Sequence, residues 1–271
     1  VSKFAALFLT ALSAALFCFS TLSKVYVVSD IDDTIKKANS ANGGIPQAYH
    51  FFRKKIYPEM RDLFVELKAA YEIQGEEVEF IYVSAAPDIL FNQQKWIAKH
   101  DFPAGVAILR DFGSGDTYTY KMATIKAMLK GADASDSVYF FGDNASKDAI
   151  VYSDVVKDMG LINSFIYIRD VTTRATYWSD DLDVRAMEGV NYFFSERDFL
   201  ANRSGGLFFI SETLREEIKK AYNEKVLIPE YTLKELKSRI KDDWGCGFKR
   251  GCKKIAKEFA HMFWNDYHER Y

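Results

Sequence analysis

Cysteine, histidine and proline are scarce in this 271-residue chain, with 3, 4 and 5 copies. No Cys or His cluster has zinc-ligand spacing, which argues against a zinc enzyme. His50, His100, His261 and His268 are scattered. None stands beside a serine or cysteine in a nucleophile motif, so each reads as structural or exposed. An excess of one charge is also missing. Thirty-six Lys and Arg face 38 Asp and Glu, a net charge of −2, so no global basic field points to nucleic acid. Glycine and proline together are too few for a collagen-like or low-complexity chain, and 48% hydrophobic residues exclude disorder.

What the chain does have is unevenly placed. Residues 201–271 carry 15 basic and 11 acidic side chains, and residues 1–200 carry 21 and 27. After Lys3 an uncharged run, Phe4–Leu22, is rich in Ala, Leu and Phe. It reads as a secretory signal peptide, with an uncleaved anchor through residues 4–22 as the alternative and a buried first helix least favoured. Loss of residues 1–23 would remove Cys18 and leave Cys246 and Cys252 as an even pair, which suits an exported protein, periplasmic or secreted. The short loop Gly247–Gly251 between the two cysteines leads us to expect a disulfide.

From residue 24 short apolar runs alternate with helical periodicity, the pattern of a parallel sheet covered by helices. The runs are 25–28, 80–83, 106–109, 138–141 and 165–168. Met60, Leu63, Phe64, Leu67 and Tyr71 recur at helical spacing behind Pro58, and further helices are expected over 88–100, 121–130 and 147–158. Beyond about residue 200 the strand signal fades. Thr213 with Glu216 and Thr232 with Glu235 form capping-box patterns. The expected organisation is a leader over 1–23, an α/β domain over 24–200 and a helical extension over 201–271.

The run from Val25 leads into Asp30, Asp32 and Asp33, three carboxylates within four residues. Like charges at the carboxyl end of a central strand repel and are partly desolvated, so a compensating cation is expected. An acidic turn capping the next helix is the plainer alternative for a lone Asp-x-Asp. The pattern repeats, however: Val138–Phe141 leads into Gly142, Asp143 and Asp148. Two such loops in one parallel sheet can converge on a hard cation such as magnesium. Ser84 offers a hydroxyl after the second run, where a plain turn is the usual role. Lys121, read as opening a helix and so opposing its dipole, offers a fixed positive charge to the same cleft.

The ordered set Asp30-x-Asp32-x-Thr34, Ser84, Lys121 and Gly142-Asp143 with Asp148 resembles the four motifs of the haloacid dehalogenase superfamily. One branch matches further. Ser29–Lys36, Tyr82–Pro87, Phe102-Pro103, Leu109–Asp111, Lys147-Asp148 and Ile168–Thr172 resemble the catalytic domain of the actin-patch-associated phosphatidate phosphatases. The chain departs from that family at Ser84-Ala85-Ala86-Pro87, where a hydroxyl is missing, and at Asn144-Ala145-Ser146, which leaves the acidic residues intact.

The resemblance implies a Rossmann-like parallel sheet and a magnesium-dependent phosphatase. Asp30 would be the nucleophile forming an aspartyl-phosphate, and Asp32 the general acid and base. Ser84 and Lys121 would bind the phosphoryl oxygens. Asp30, the backbone carbonyl of Asp32, Asp143 and Asp148 would hold Mg2+. Thr34 would shape the loop. The spacing leaves room only for a flap around Gly43-Gly44-Ile45-Pro46 and no large cap. An open site suits phosphatidate or a related lipid, with a soluble or protein-bound phosphomonoester as the alternative and an inactive phosphate-binding module least favoured. Lys249, Arg250, Lys253, Lys254 and Lys257 form a basic run that would suit an anionic membrane, although a solvated helix face is the commoner meaning of such runs.

Overall fold

The computed structural model describes residues 23–38, 40, 55–87, 92–111, 116–171 and 187–193, with separate positions between 196 and 261. Among the described residues ten elements follow in order: β1 (Lys24–Asp30), α1 (Pro58–Ile73), β2 (Glu77–Pro87), α2 (Gln93–Lys99), β3 (Gly105–Arg110), α3 (Thr117–Met128), β4 (Ser137–Asp143), α4 (Asp148–Met159), β5 (Asn163–Arg169) and β6 (Val190–Phe193). The strands form one sheet in the order β3-β2-β1-β4-β5-β6. Every pairing is parallel, with Val27 opposite Phe80 on one side of β1 and Tyr139 on the other. The fold is the expected α/β sheet flanked by helices, open and, among the described residues, without a large cap.

Alternation along the strands sorts the core into two layers. Val25, Val27, Phe80, Tyr82, Tyr139 and Phe141 face α1 and α2, packing on Met60, Leu63, Phe64, Leu67, Trp96 and Ile97. Val28, Ile81, Val83, Val138, Phe140, Ile166 and Ile168 face α3 and α4, against Ile125, Leu129, Val151, Tyr152 and Val155. The α1 stripe is the one read from the sequence, and Pro58 starts that helix without needing an N–H partner. Chain order reverses between β1 and β4, so their carboxyl ends flank the crevice where open sheets bind ligands.

Two boundaries and one additional strand depart from the sequence reading. Helix α3 begins at Thr117, because Asp116 caps it by accepting from the N–H groups of Tyr118 (2.9 Å) and Thr119 (3.2 Å). Lys121 therefore lies one turn inside the helix, and the dipole argument made for it does not apply. Strand β2 runs through Ser84 to Pro87, its pairing with β3 continuing past a register shift between those residues. A sixth strand, β6, has no counterpart among the five apolar runs. It is four residues long, behind Gly189 at φ +77°, and is held by pairing with β5.

Beyond β6, Ile210 and Leu214 join the core beneath α1. Ser211 fastens this segment: its N–H donates to Glu66 Oε2 (2.8 Å) and its hydroxyl bonds the same carboxylate. The Ser211 hydroxyl also accepts from the Leu214 N–H at 3.0 Å, so the helix cap is Ser211 rather than Thr213. Thr232 and residues 1–22 of the leader expected over 1–23 lie outside the described residues, within which no helix is long and apolar enough to cross a membrane. The sulfurs of Cys246 and Cys252 lie at bonding distance, with Cα atoms 5.4 Å apart, as a disulfide requires.

Candidate active site

Strand β1 delivers Asp30 to the crevice, and a tight loop turns the chain immediately after it. Ile31 C=O accepts from the N–H groups of Ile35 (3.1 Å) and Lys36 (2.9 Å), and Asp33 takes φ +61°. Asp33 is thereby turned back on its own loop, although its charge still adds to the rise of Asp143. Its carboxylate accepts from the N–H groups of Ala38 (2.9 Å) and Ser40 (2.5 Å), which is the local turn bonding that lets aspartate occupy the left-handed region. Thr34 is fully buried, and its carbonyl accepts from Arg169 Nη2 at 3.3 Å. Arg169, at the end of β5, is sandwiched 3.9 Å from the Tyr57 ring and 4.7 Å from the Phe193 ring, and it pairs with Glu196. The loop thus rests on a buried cation–π strut.

Strand β4 delivers the second acidic set. Asp143 Oδ1 accepts from the Ala145 N–H at 2.7 Å, and Asp148 Oδ2 faces the Asp143 N–H at 3.4 Å. Gly142 is required by this packing. A Cβ there would lie 2.7 Å from Asp148 Cβ and 2.8 Å from Tyr152 Cε2, closer than such atoms approach. Asn144 ties the loop to the end of β5, donating to Asp170 Oδ1 (2.8 Å) and accepting from the Val171 N–H (2.8 Å).

The two loops meet. One carboxylate oxygen each of Asp30, Asp143 and Asp148 lies within 4.8 Å of the others, and all three residues are buried. Lys121 reaches between the loops, its ammonium 2.6 Å from Asp30 Oδ1 and bonded to Asp148 Oδ1. Burial pushes the Asp30 carboxyl well above the usual carboxylate range, against the pull of Lys121 and with the help of Asp148 and Asp32. Burial also raises Asp143, and the carboxylates of Asp148 and Asp30 add to it. Burial alone would lower the Lys121 ammonium, but Asp148, Asp30 and Asp143 outweigh it and hold the lysine above its ordinary value.

Three buried carboxylates against one ammonium leave a negative site that lacks compensation from protein alone. Oxygen donors at this spacing fit a hard divalent cation. The side chain of Asp32 stands apart from the three. Its Oδ1 lies 2.6 Å from the Lys36 ammonium, and its Oδ2 accepts from the Ser84 hydroxyl at 3.3 Å. Ser84 also accepts from the Ala86 N–H at 3.0 Å.

All six residues singled out from the sequence therefore line one crevice, in two groups: Asp30, Lys121, Asp143 and Asp148, and then Asp32 with Ser84. Sequence reasoning gave no role to Lys36, Arg169 or Asn144. The spacing of Lys36 four residues after Asp32 is the one signal available, and it is informative only once the loop is known to turn back on itself.

A family model, that of phosphatidate phosphatase APP1, catalytic domain, matches residues 25–170. No curated protein and no solved structure matches the chain.

Proposed function

The chain belongs to the family of the phosphatidate phosphatase APP1 catalytic domain, and from that membership and the crevice geometry we propose a magnesium-dependent phosphomonoesterase acting on phosphatidate or a related phospholipid through a phosphorylated Asp30. The observation that carries this reading is the convergence of Asp30, Lys121, Asp143 and Asp148 at the β1/β4 crevice.

Asp30 attacks phosphorus with the carboxylate oxygen that Lys121 does not hold, and the ester P–O bond breaks as the P–O bond to Asp30 forms. Asp32 gives its proton to the departing alkoxide. It then takes one from the water that attacks the phosphorylated Asp30, releasing phosphate and restoring the carboxylate. Lys121 holds charge on the phosphoryl oxygens while keeping Asp30 aligned. Asp30, Asp143 and Asp148, with the Asp32 carbonyl, would hold Mg2+, whose charge offsets that on the phosphoryl group. Ser84 lies where it can bond Asp32 or a phosphoryl oxygen.

The lipid assignment draws support from the absence of a large cap among the described residues and from the chain around the cysteine pair. Phe248 is 99% exposed, and Arg250, Lys253, Lys254 and Lys257 are exposed beside it. Ala256 and Ala260 of the same segment are buried. An aromatic tip among cations suits an anionic membrane surface. The cysteine pair and the uncharged run over 4–22 favour a place outside the cytoplasm, exported or anchored.

The test is phosphate release from phosphatidate in anionic vesicles and from soluble phosphomonoesters, with and without Mg2+. The expected result is metal-dependent release, faster from the lipid. Charge reversal at Lys253 and Lys254 should lower only the vesicle rate, by roughly 30-fold or more at about 1 kcal/mol per lysine. Equal turnover of soluble esters, unaffected by those changes, would leave the soluble-substrate reading. No release from any ester would leave the inactive module.

A further inference from the structure

Lys36 is the second buried lysine of the site, and the chemistry above gives it no part. Its side chain is 0% exposed, and its ammonium is directed at Asp32 rather than at the three-carboxylate group. Its backbone closes the loop after β1, the N–H donating to Ile31 C=O (2.9 Å) and the C=O accepting from the Asp33 N–H (2.6 Å). The side chain then folds back over the same loop to place its ammonium 2.6 Å from Asp32 Oδ1. The segment entering α1 braces this arrangement, with the Tyr57 N–H on Ile35 C=O (3.0 Å) and the Lys37 N–H on Lys55 C=O (2.9 Å).

Asp32 is the carboxylate of the site that keeps partial access, at 19% exposed. A partly exposed aspartate ordinarily turns about χ2. Here each oxygen faces a donor from a different place, Lys36 at Oδ1 and Ser84 of β2 at Oδ2, so the plane of the carboxyl group is set. Lys121 takes Asp30 and Asp148, and Lys36 takes Asp32.

We infer that Lys36 is a positioning residue, which orients the Asp32 carboxyl for proton transfer to the leaving oxygen. This rests on the reading of Asp32 as general acid and base. It also assigns a direction to the pair: Oδ1 is the anchored oxygen, and Oδ2, weakly held by Ser84 at 3.3 Å, is the one that exchanges the proton.

The test compares Asp32→Asn, Lys36→Met and the double variant in the full chain at saturating Mg2+, each on two esters. Phosphatidate has an alkoxide leaving group that needs a proton, and p-nitrophenyl phosphate has one that does not. Lys36→Met should lose about 10- to 100-fold in kcat/KM on phosphatidate and less than about threefold on p-nitrophenyl phosphate. The double variant should match Asp32→Asn within about twofold on both esters, because both changes act through one group.

Lys36→Met within about twofold of the parent on phosphatidate would overturn the inference, and so would equal losses on the two esters or a double variant well below Asp32→Asn. If Lys36→Met does not fold, the double variant, which removes both charges of the pair, is judged against Asp32→Asn in the same terms. Failure of that variant to fold makes the lysine structural and also overturns the inference. Asp32→Asn losing equally on both esters would sink the acid–base role itself, and that arm leaves Lys36 untouched.

Discussion

The loops after β1 and β4 carry the same elements of sequence, an apolar strand leading into carboxylates, but they restrain those carboxylates by different means. After β1, the two functional carboxylates are met by lysine ammoniums, Asp30 by Lys121 and Asp32 by Lys36. After β4, backbone groups and close packing do the holding. The Ala145 N–H bonds Asp143, the Asp143 N–H faces Asp148, and the bare Cα of Gly142 lets Asp148 approach. Ammonium contacts can follow a group whose charge changes, whereas a backbone cradle fixes an oxygen in place. The first loop is suited to reacting groups and the second to ligation, with Lys121 bridging them through Asp30 and Asp148.

The largest effect should come from removing the reacting group. Asp30→Asn is expected to lower kcat/KM by about a thousandfold or more on every ester, with no recovery at high Mg2+. Its melting temperature should not fall, because burial already disfavours the charged form that the change removes. Activity near that of the parent would end the nucleophile assignment and the division of labour between the loops.

Asp143→Asn is the matching change in the second loop, and it should behave differently. An amide keeps the shape but is a weaker donor, so the apparent affinity for Mg2+ should fall by about 10- to 100-fold while added Mg2+ restores part of the activity. Calorimetric titration of Mg2+ reads the affinity without turnover. Loss of turnover with unchanged Mg2+ binding would show that both loops act in the chemistry. Gly142→Ala tests the cradle more gently. The added Cβ must displace Asp148 or Tyr152, at about 1–3 kcal/mol of stability, read by denaturant unfolding. A variant as stable as the parent would mean that the loop yields and Asp148 is not fixed by close packing.

The sequence makes the strands and the acidic ends of β1 and β4 legible because burial on both faces writes continuous apolar runs, and carboxylates directly behind such runs are costly enough to need a reason. The convergence of Asp30, Asp143 and Asp148 follows from adjacency of those two strands. What was not legible depends on contacts made at a distance. The start of α3 turned on the Asp116 cap, and β6 is too short to signal itself without β5. Asp33 looked like a third cluster member until the backbone at φ +61° showed it bonding its own loop. The bond from the Ser84 hydroxyl to Asp32 was likewise not legible, because it depends on β2 running past Ser84 and laying it beside the β1 loop.

The smallest effect, and the one that joins the two loops, is a coupling of pH to metal. Asp30 and Asp143 both have carboxyls raised by burial. In the window between the unfolded value near 3.9 and the raised folded value, each group binds more protons folded than unfolded. Stability of the metal-free protein should therefore fall as pH rises through that window, and the cost is complete once pH passes the folded values. A cation bound among the three carboxylates removes the cause of the shift. Thermal unfolding with excess chelator should thus give a melting temperature that declines with rising pH. Saturating Mg2+ should flatten that decline, so that its stabilising shift grows with pH from almost nothing at the acid end to a few degrees, on the order of 1–2 kcal/mol for a chain of this size. A shift independent of pH would place the bound ion away from Asp30 and Asp143. A shift confined to Asp30, abolished by Asp30→Asn but untouched by Asp143→Asn, would mean that the second loop does not ligate, and the contrast between the loops would fail.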